Sequence, residues 1–151
     1  MPLDQSFVGR SYPSPRPYEV GRETVQAFAE AIGDTNPVYY DPEAARALGH
    51  PAIPAPPTFA FAFTYQAAIR IVQDPELGLD YDRVVHREQS FSYSRPVRVG
   101  DVLDITSVVK EIKSLAGNEV VNVAAEVTDA EGEHVVTVQT KLVARAVEEG
   151  E

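Results

Sequence analysis

The feature that most constrains the fold is the apolar run TFAFAFTYQAAIRIV at residues 58–72. Its apolar side chains point in almost every direction around a helix, and the run is longer than an ordinary strand. The alternation of Phe59, Phe61 and Phe63 would also suit a strand at its start. We predict a buried central helix, which needs other elements to surround it.

The second half of the chain changes to a period of two. Four strand-like runs are separated by turn residues at 100–101, 116–118 and 130–132, and they span residues 84–94, 102–112, 119–128 and 134–144. Such runs, joined by short turns, predict an antiparallel meander. A helical first half followed by consecutive strands makes the fold class α+β.

The segment before the central helix divides into an arm and a helix. Residues 1–20 are rich in Pro and aromatic residues without a period, which predicts an extended arm with no helix. A helix is predicted over residues 22–32, with Gly33 as its stop. Its apolar residues recur at i, i+3, i+4 and i+7, namely Val25, Phe28, Ala29 and Ile32.

A second, shorter helix is predicted after the loop that follows Gly33. Asp41 suits its N-cap, Pro42 its first position and Gly49 its end. Residues 74–82 have the Pro, Gly and alternating acids of a surface loop.

Composition bounds the function classes. The chain has 151 residues, which predicts one domain over residues 1–147 with a frayed acidic tail at 148–151. No run reaches the roughly 18 apolar residues that span a bilayer, so we expect a soluble cytoplasmic protein. The net charge of -10 disfavours nucleic-acid binding. With no Cys and three scattered His, no metal site is expected.

Residues 33–42, GDTNPVYYDP, carry a family resemblance. They resemble the Gly-Asp-x-Asn-Pro-hydrophobic-His-x-Asp signature of MaoC-like (R)-specific enoyl hydratases and (3R)-hydroxyacyl dehydratases, with Tyr39 in place of the His. Residues 86–91 and 95–101 look like further parts of the dehydratase-type N-terminal MaoC domain. The resemblance implies a hot-dog fold, in which a curved antiparallel sheet wraps around a long central helix.

The resemblance also implies a chemistry that this loop has lost in part. In active relatives the Asp and His hold the water that adds to a 2,3-enoyl thioester. Asp34 matches the Asp, and Asn36 matches a residue that would orient the loop. A phenol such as Tyr39, with a pKa of about 10, is a poor base at neutral pH. Losing that base would cost roughly a hundredfold to ten-thousandfold in rate.

A second departure falls at the start of the central helix. There the family places a Gly whose N–H polarises the thioester carbonyl, and the matching residue here is Pro57, which has no N–H. Thr58 could supply one instead, at a helix N-terminus that favours a developing negative charge.

Other candidates stay open between binding and structure. Asp34 could simply orient the loop, Tyr39 and Tyr40 could be packing residues, and Phe59 could belong to the core or contact an acyl chain. His86 could replace the missing base or be a solvated strand residue, and His50 and His134 are interpreted as surface residues.

Four arginines are predicted to crowd one region of the acidic chain: Arg83, Arg87, Arg95 and Arg98. Arg87 and Arg95 are the candidate contacts for coenzyme A phosphates or for an acyl carrier protein. The alternative is a charged sheet edge that resists aggregation.

The resemblance is strongest to small actinobacterial MaoC-like proteins, including the non-catalytic subunit of a heterodimeric (3R)-hydroxyacyl-acyl carrier protein dehydratase. It implies an acyl-thioester-binding subunit in fatty acid metabolism, paired with a catalytic MaoC-like hot-dog subunit or with itself. Alternatives are a self-sufficient enoyl-CoA hydratase that uses Asp34 with Tyr39 or His86, and a non-enzymatic acyl-CoA sensor. No cofactor is expected beyond the coenzyme A or phosphopantetheine that carries the acyl group.

Overall fold

The computed structural model describes residues 3–146, so the tail predicted at 148–151 lies outside the described residues. The helices are α1 (Arg22–Ala31), α2 (Pro42–Ala47) and α3 (Phe59–Val72), with 3-10 turns at Gln5–Phe7, Pro37–Tyr39 and Tyr81–Arg83. The strands are β1 (Ser11–Pro13), β2 (Tyr18–Glu19), β3 (Val84–Tyr93), β4 (Val102–Leu115), β5 (Asn118–Thr128) and β6 (His134–Ala144). None of the helices in this part of the chain is long and apolar enough to cross a bilayer.

The sheet is antiparallel, but its order differs from the predicted meander. Strands β4, β5 and β6 follow one another as expected, whereas β3 pairs with β6 rather than with β4. The reason is that β1 and β2 of the N-terminal arm already occupy the other side of β4. Alternation identifies a strand and its two faces, but it does not specify its neighbours.

The N-terminal arm is extended, as predicted, and adds two short strands to the sheet. The expectation that it contains no helix was wrong at Gln5–Phe7, where the Asp4 carboxylate caps a short 3-10 turn by accepting from Ser6 N. The turn buries Phe7 completely in the core.

The sheet curves around α3, and the core lies between them. One cluster of buried residues surrounds the first half of α3 and includes Phe59, Leu103 and Val127. A second cluster surrounds its other half, where Ile71 meets the arm. This is the α+β hot-dog architecture that the resemblance implies.

Two details of the predicted surface needed correction. The segment 74–82 is not wholly a surface loop, because Leu77 is buried and its carbonyl accepts from Asp4 N. Ile32 was assigned to the apolar face of the first helix, but α1 ends at Ala31 and Ile32 is 50% exposed.

Candidate functional site

The loop after α1 begins with a tightly bonded helix end. Gly33 N–H donates to the Glu30 carbonyl and Asp34 N–H to the Ala29 carbonyl, which is the Schellman arrangement. Gly33 has a φ of 73°, a left-handed conformation that glycine adopts without strain. The end of α1 therefore fixes where Asp34 starts.

The acidic and amide side chains of the loop fold its own backbone. The Asp34 carboxylate accepts from Asn36 N at 3.0 Å, the Asn36 side-chain oxygen from Val38 N at 3.1 Å, and the Asp41 carboxylate from Glu43 N at 2.9 Å. These are Asx turns and caps. The orienting role predicted for Asn36 thus has a geometry, although its own backbone N–H, not its side-chain amide, reaches the Asp34 carboxylate.

The two tyrosines of the loop are held as neutral phenols. Burial, and then the negative charge of Asp34, raise the pKa of Tyr39. Burial, followed by Glu30 and Asp34, raises the pKa of Tyr40. The Tyr40 hydroxyl donates to the Asp34 carbonyl at 2.7 Å. Both phenols therefore ionise less readily at neutral pH than an ordinary tyrosine, and the Tyr40 hydroxyl braces the loop.

A cleft of about 490 Å³, here called the motif cleft, opens beside this loop. Asn36, Tyr39 and Pro57 contribute to its lining, as sequence reasoning proposed for the site. Asp34 and Tyr40 are not among its lining residues. His50, interpreted from sequence as a surface residue, is half-buried and lines the cleft.

A second cleft, of about 390 Å³, lies at the start of α3 and is here called the apolar cleft. It is lined by Phe28, Thr58, Phe61, His86, Gln89 and Phe91. The N–H of Thr58 has no protein acceptor within residues 3–146, and it sits at the positive end of a helix of 14 residues. A cleft lined mainly by aromatic side chains suits the apolar part of an acyl group.

His86 lies in the apolar cleft, apart from the Asp34 loop. Its ring stacks on Phe61 with centroids 5.4 Å apart, and its Nε2 lies 3.0 Å from Gln89 Oε1. Because His86 lines a different cleft from Asn36 and Tyr39, the geometry does not pair it with the motif.

Tyr93 lines the motif cleft, and sequence reasoning missed it. Its side chain reaches from β3 to the start of α3, where its hydroxyl donates to the Pro57 carbonyl at 2.5 Å. Burial raises the pKa of Tyr93 to about 12. The available signal was the pair Phe91 and Tyr93, two aromatic residues on one face at the end of a strand.

Phe59 and Phe63 are core residues, whereas Phe61 faces the apolar cleft. Phe59 is fully buried and packs edge-on against Phe28, with ring centroids 5.4 Å apart. It therefore supports a residue that lines the apolar cleft without lining the cleft itself. Phe63 stacks on Tyr18 at 4.7 Å.

The predicted arginine cluster does not form. Arg83 precedes β3 and Arg95 follows it, and a strand of 10 residues separates them by about 30 Å. Arg83 donates to the Arg145 and Ala146 carbonyls. Arg87 lies at a bulge in β3, exposed and 3.9 Å from Glu88.

Arg95 lines the motif cleft but is engaged elsewhere. Its guanidinium makes a two-pronged contact with the Asp101 carboxylate at 2.9 and 3.0 Å, and approaches Asp129 at 3.5 Å. Asp101 also accepts from Arg98 N. This bracing of the turn between β3 and β4 leaves Arg95 little freedom to meet a phosphate.

Comparison with known proteins agrees with this architecture. Residues 6–138 match the family described as FAS1-like, dehydratase domain region. The chain is 67% identical over 150 residues to a UPF0336 protein of Streptomyces avermitilis, covering 99% of this chain and 100% of that protein.

Two solved structures share the fold. A MaoC-like dehydratase superposes with a TM-score of 0.88 at 32% identity, covering 96% of this chain and 44% of that chain. A C-terminally truncated HadBC (3R-hydroxyacyl-ACP dehydratase) complex from Mycobacterium tuberculosis gives 0.84 at 26% identity, covering 95% and 99%. The fold is therefore that of the MaoC-like dehydratases.

Proposed function

The chain belongs to the FAS1-like, dehydratase domain region family, and we propose that it is the acyl-thioester-binding, non-catalytic subunit of a hydro-lyase in fatty acid metabolism. Its substrate would be a (3R)-hydroxyacyl or 2-enoyl thioester, carried by coenzyme A or by the phosphopantetheine arm of an acyl carrier protein. A catalytic MaoC-like subunit that retains the His would supply the acid-base chemistry. The cytoplasmic location expected from the sequence remains a prediction.

The observation that carries the proposal is the state of Tyr39. A general base works best when its pKa lies near the operating pH. Burial and the charge of Asp34 move the pKa of Tyr39 upward, away from that range. The phenol can donate a hydrogen bond, but it cannot take a proton from water at neutral pH.

Pro57 supports the same conclusion, because it affects the donor that would polarise the thioester carbonyl. It offers no N–H to the thioester oxygen, and its carbonyl is bonded to Tyr93. Removing one donor from such a site commonly costs about a hundredfold or more in rate. Two independent losses in one site favour a subunit that binds but does not react.

An exposed edge suits the expected partner. Within the described chain β3 pairs on one side only, with β6, and its other side offers unpaired N–H and C=O groups. The similar HadBC structure is a complex of subunits. We propose that β3 pairs with the equivalent strand of a second hot-dog subunit, in a heterodimer or a homodimer.

The self-sufficient hydratase is the alternative, with Asp34 assisted by Tyr39 or His86. The separation of His86 from the motif cleft disfavours it, because a concerted acid-base pair must reach the same water. The third reading, an acyl-CoA sensor, would bind acyl-CoA and never support turnover.

An assay of trans-2-enoyl-CoA hydration distinguishes the non-catalytic subunit, the self-sufficient hydratase and the acyl-CoA sensor. We expect the purified chain to bind the thioester without turnover. It should give turnover when mixed with a MaoC-like subunit encoded by a neighbouring gene. Robust turnover by the chain alone, abolished by Asp34→Asn, would establish the hydratase. Saturable binding with no activity in any mixture would establish the sensor.

A further inference from the structure

We propose that Tyr93 is a partition that holds a bound acyl thioester in the apolar cleft and keeps it away from the Asp34–Tyr39 loop. The inference rests on the proposed acyl-binding function and adds the residue that determines which acyl groups the subunit accepts. It also gives a structural reason why the loop is not used for catalysis.

The partition is visible in how neighbouring residues divide between the clefts. Pro57 lines the motif cleft and Thr58 the apolar cleft. In the same way Tyr93 lines the motif cleft, and Phe91, two residues away on the same face of β3, lines the apolar cleft. The boundary therefore runs between α3 and β3, where the Tyr93 side chain crosses from one to the other.

Both ends of this crossing are fixed. The Tyr93 ring lies parallel to Phe91, at 13° and 6.3 Å, and its hydroxyl is bonded to the Pro57 carbonyl. The hydroxyl stays a donor at physiological pH because burial favours the neutral phenol.

The partition has a consequence for specificity. With Tyr93 in place, the acyl group has about 390 Å³ between Phe28, Phe61 and Phe91, which suits an unbranched chain. Removing the Tyr93 ring would join this space to the motif cleft of about 490 Å³. A bulky or branched acyl group would then fit.

Binding measurements on the full chain test this directly. Hexanoyl-CoA and 3-phenylpropanoyl-CoA are titrated calorimetrically into the wild type, Tyr93→Ala and Tyr81→Ala. Tyr81 is the matched control, since it is 38% exposed against 37% for Tyr93 and lines neither cleft. We expect Tyr93→Ala to shift the affinity ratio toward the phenyl thioester by about tenfold or more, the scale on which apolar pockets discriminate. Tyr81→Ala should leave the ratio unchanged.

A second readout does not depend on thioester binding. The chain has no Cys, so His50→Cys can be labelled alone with a polarity-sensitive naphthalene dye in the motif cleft. Adding Tyr93→Ala should let the dye enter the apolar cleft and shift its emission to the blue, whereas adding Tyr81→Ala should not. If Tyr93→Ala fails to fold, Tyr93→Val replaces it, because a β-branched residue suits a strand.

The outcomes are distinguishable. If the wild type binds hexanoyl-CoA and folded Tyr93→Ala shows neither a changed ratio nor a blue shift, the partition is overturned. If no thioester binds to any variant, the proposed function fails, and the dye alone decides the partition: a blue shift supports it, and unchanged emission overturns it.

Discussion

The motif cleft and the apolar cleft differ in the residues that line them. The motif cleft takes Asn36, Val38 and Tyr39 from a loop whose polar side chains are already bonded to the loop's own backbone, and the rest of its lining comes from segments 48–57 and 93–96. The apolar cleft is lined by residues of α1, α3 and β3 and by Thr58, which precedes α3. The recognisable signature thus lies beside one cleft, while the proposed acyl-binding space is the other.

This difference explains how a catalytic signature persists without its base. Asp34 N–H bonds the end of α1, and the side chains of Asp34 and Asn36 accept from the loop's own backbone, so both residues have a structural role that does not depend on a reaction. Position 39 makes no such backbone contact with its hydroxyl, and a phenol there packs against the core. Within this one motif, Asp34 and Asn36 have structural roles in the loop, whereas position 39 has none that requires a histidine.

The largest expected effect comes from rebuilding the motif cleft. These changes are made in a Tyr93→Ala background, so that a thioester held in the apolar cleft can reach the loop. In that background, Tyr39→His alone should give little hydration of a trans-2-enoyl-CoA, because Pro57 still offers no donor. Tyr39→His with Pro57→Gly should exceed it by about a hundredfold, since one oxyanion donor is worth about 10²–10³ in rate. Equal rates for the single and double variants would show that Pro57 is not limiting.

The next largest effect is on the free energy of unfolding, and it compares the side chain of Phe59 beside the apolar cleft with that of Tyr39 in the motif cleft. Phe59→Ala empties a fully buried site and should lower the free energy of unfolding by about 3–5 kcal/mol. Tyr39→Phe keeps the ring and should change it by about 0.5 kcal/mol or less. Urea unfolding measures both free energies. A similar loss of stability in the two variants would show that the Tyr39 hydroxyl matters as much as the buried Phe59 ring.

A smaller effect tests whether Asp34 is structural. Asp34→Ala removes the acceptor of Asn36 N and should destabilise the chain by about 1 kcal/mol, as loss of an Asx cap does. Asp34→Asn retains an acceptor oxygen and should stay close to the wild type in the same unfolding measurement. If Asp34→Asn is as destabilising as Asp34→Ala, the carboxylate charge, and not the turn, is what the fold uses.

The smallest effect concerns Tyr93 at high pH. Its pKa of about 12 in the fold exceeds the ordinary value of about 10, so folding favours the neutral phenol. The resulting stability is complete below pH 10 and is lost as the pH rises through 12. The stability difference between the wild type and Tyr93→Phe should therefore shrink across this interval. Since Tyr39 and Tyr40 also have raised pKa values, an ultraviolet difference titration should show one late-ionising phenol fewer in Tyr93→Phe than in the wild type.

Much of the fold was predictable because its signals are local. Periodicity located α3 and the four long strands to within a few residues, and Gly33 and Asp41 marked helix ends by backbone chemistry that needs no distant partner. The neighbour of β3 was not predictable, because β4 could pair with either the arm or β3. The outcome depends on how the arm packs through Phe7.

The candidate site shows the same limit. The motif located the loop and its bonds, since these depend on adjacent residues, whereas the loss of a base at Tyr39 stays a prediction. The roles of Tyr93 and His50 arise from segments that approach only in the folded chain, such as β3 and the start of α3. Arg95 was misleading for the reverse reason, because its carboxylate partners at Asp101 and Asp129 satisfy a charge that looks free in the sequence.

The most direct test of the central claim is enoyl-CoA hydration by the mixture of this chain with its catalytic MaoC-like partner, using Asp34→Asn in this chain alone. If the chain binds the thioester without reacting, as proposed, the rate should stay within about twofold of the wild-type mixture, while the same change at the partner's motif Asp should abolish turnover. Acid-base assistance is worth about 10²–10⁴ in rate, so a loss of that size from Asp34→Asn in this chain would contradict the proposed non-catalytic role.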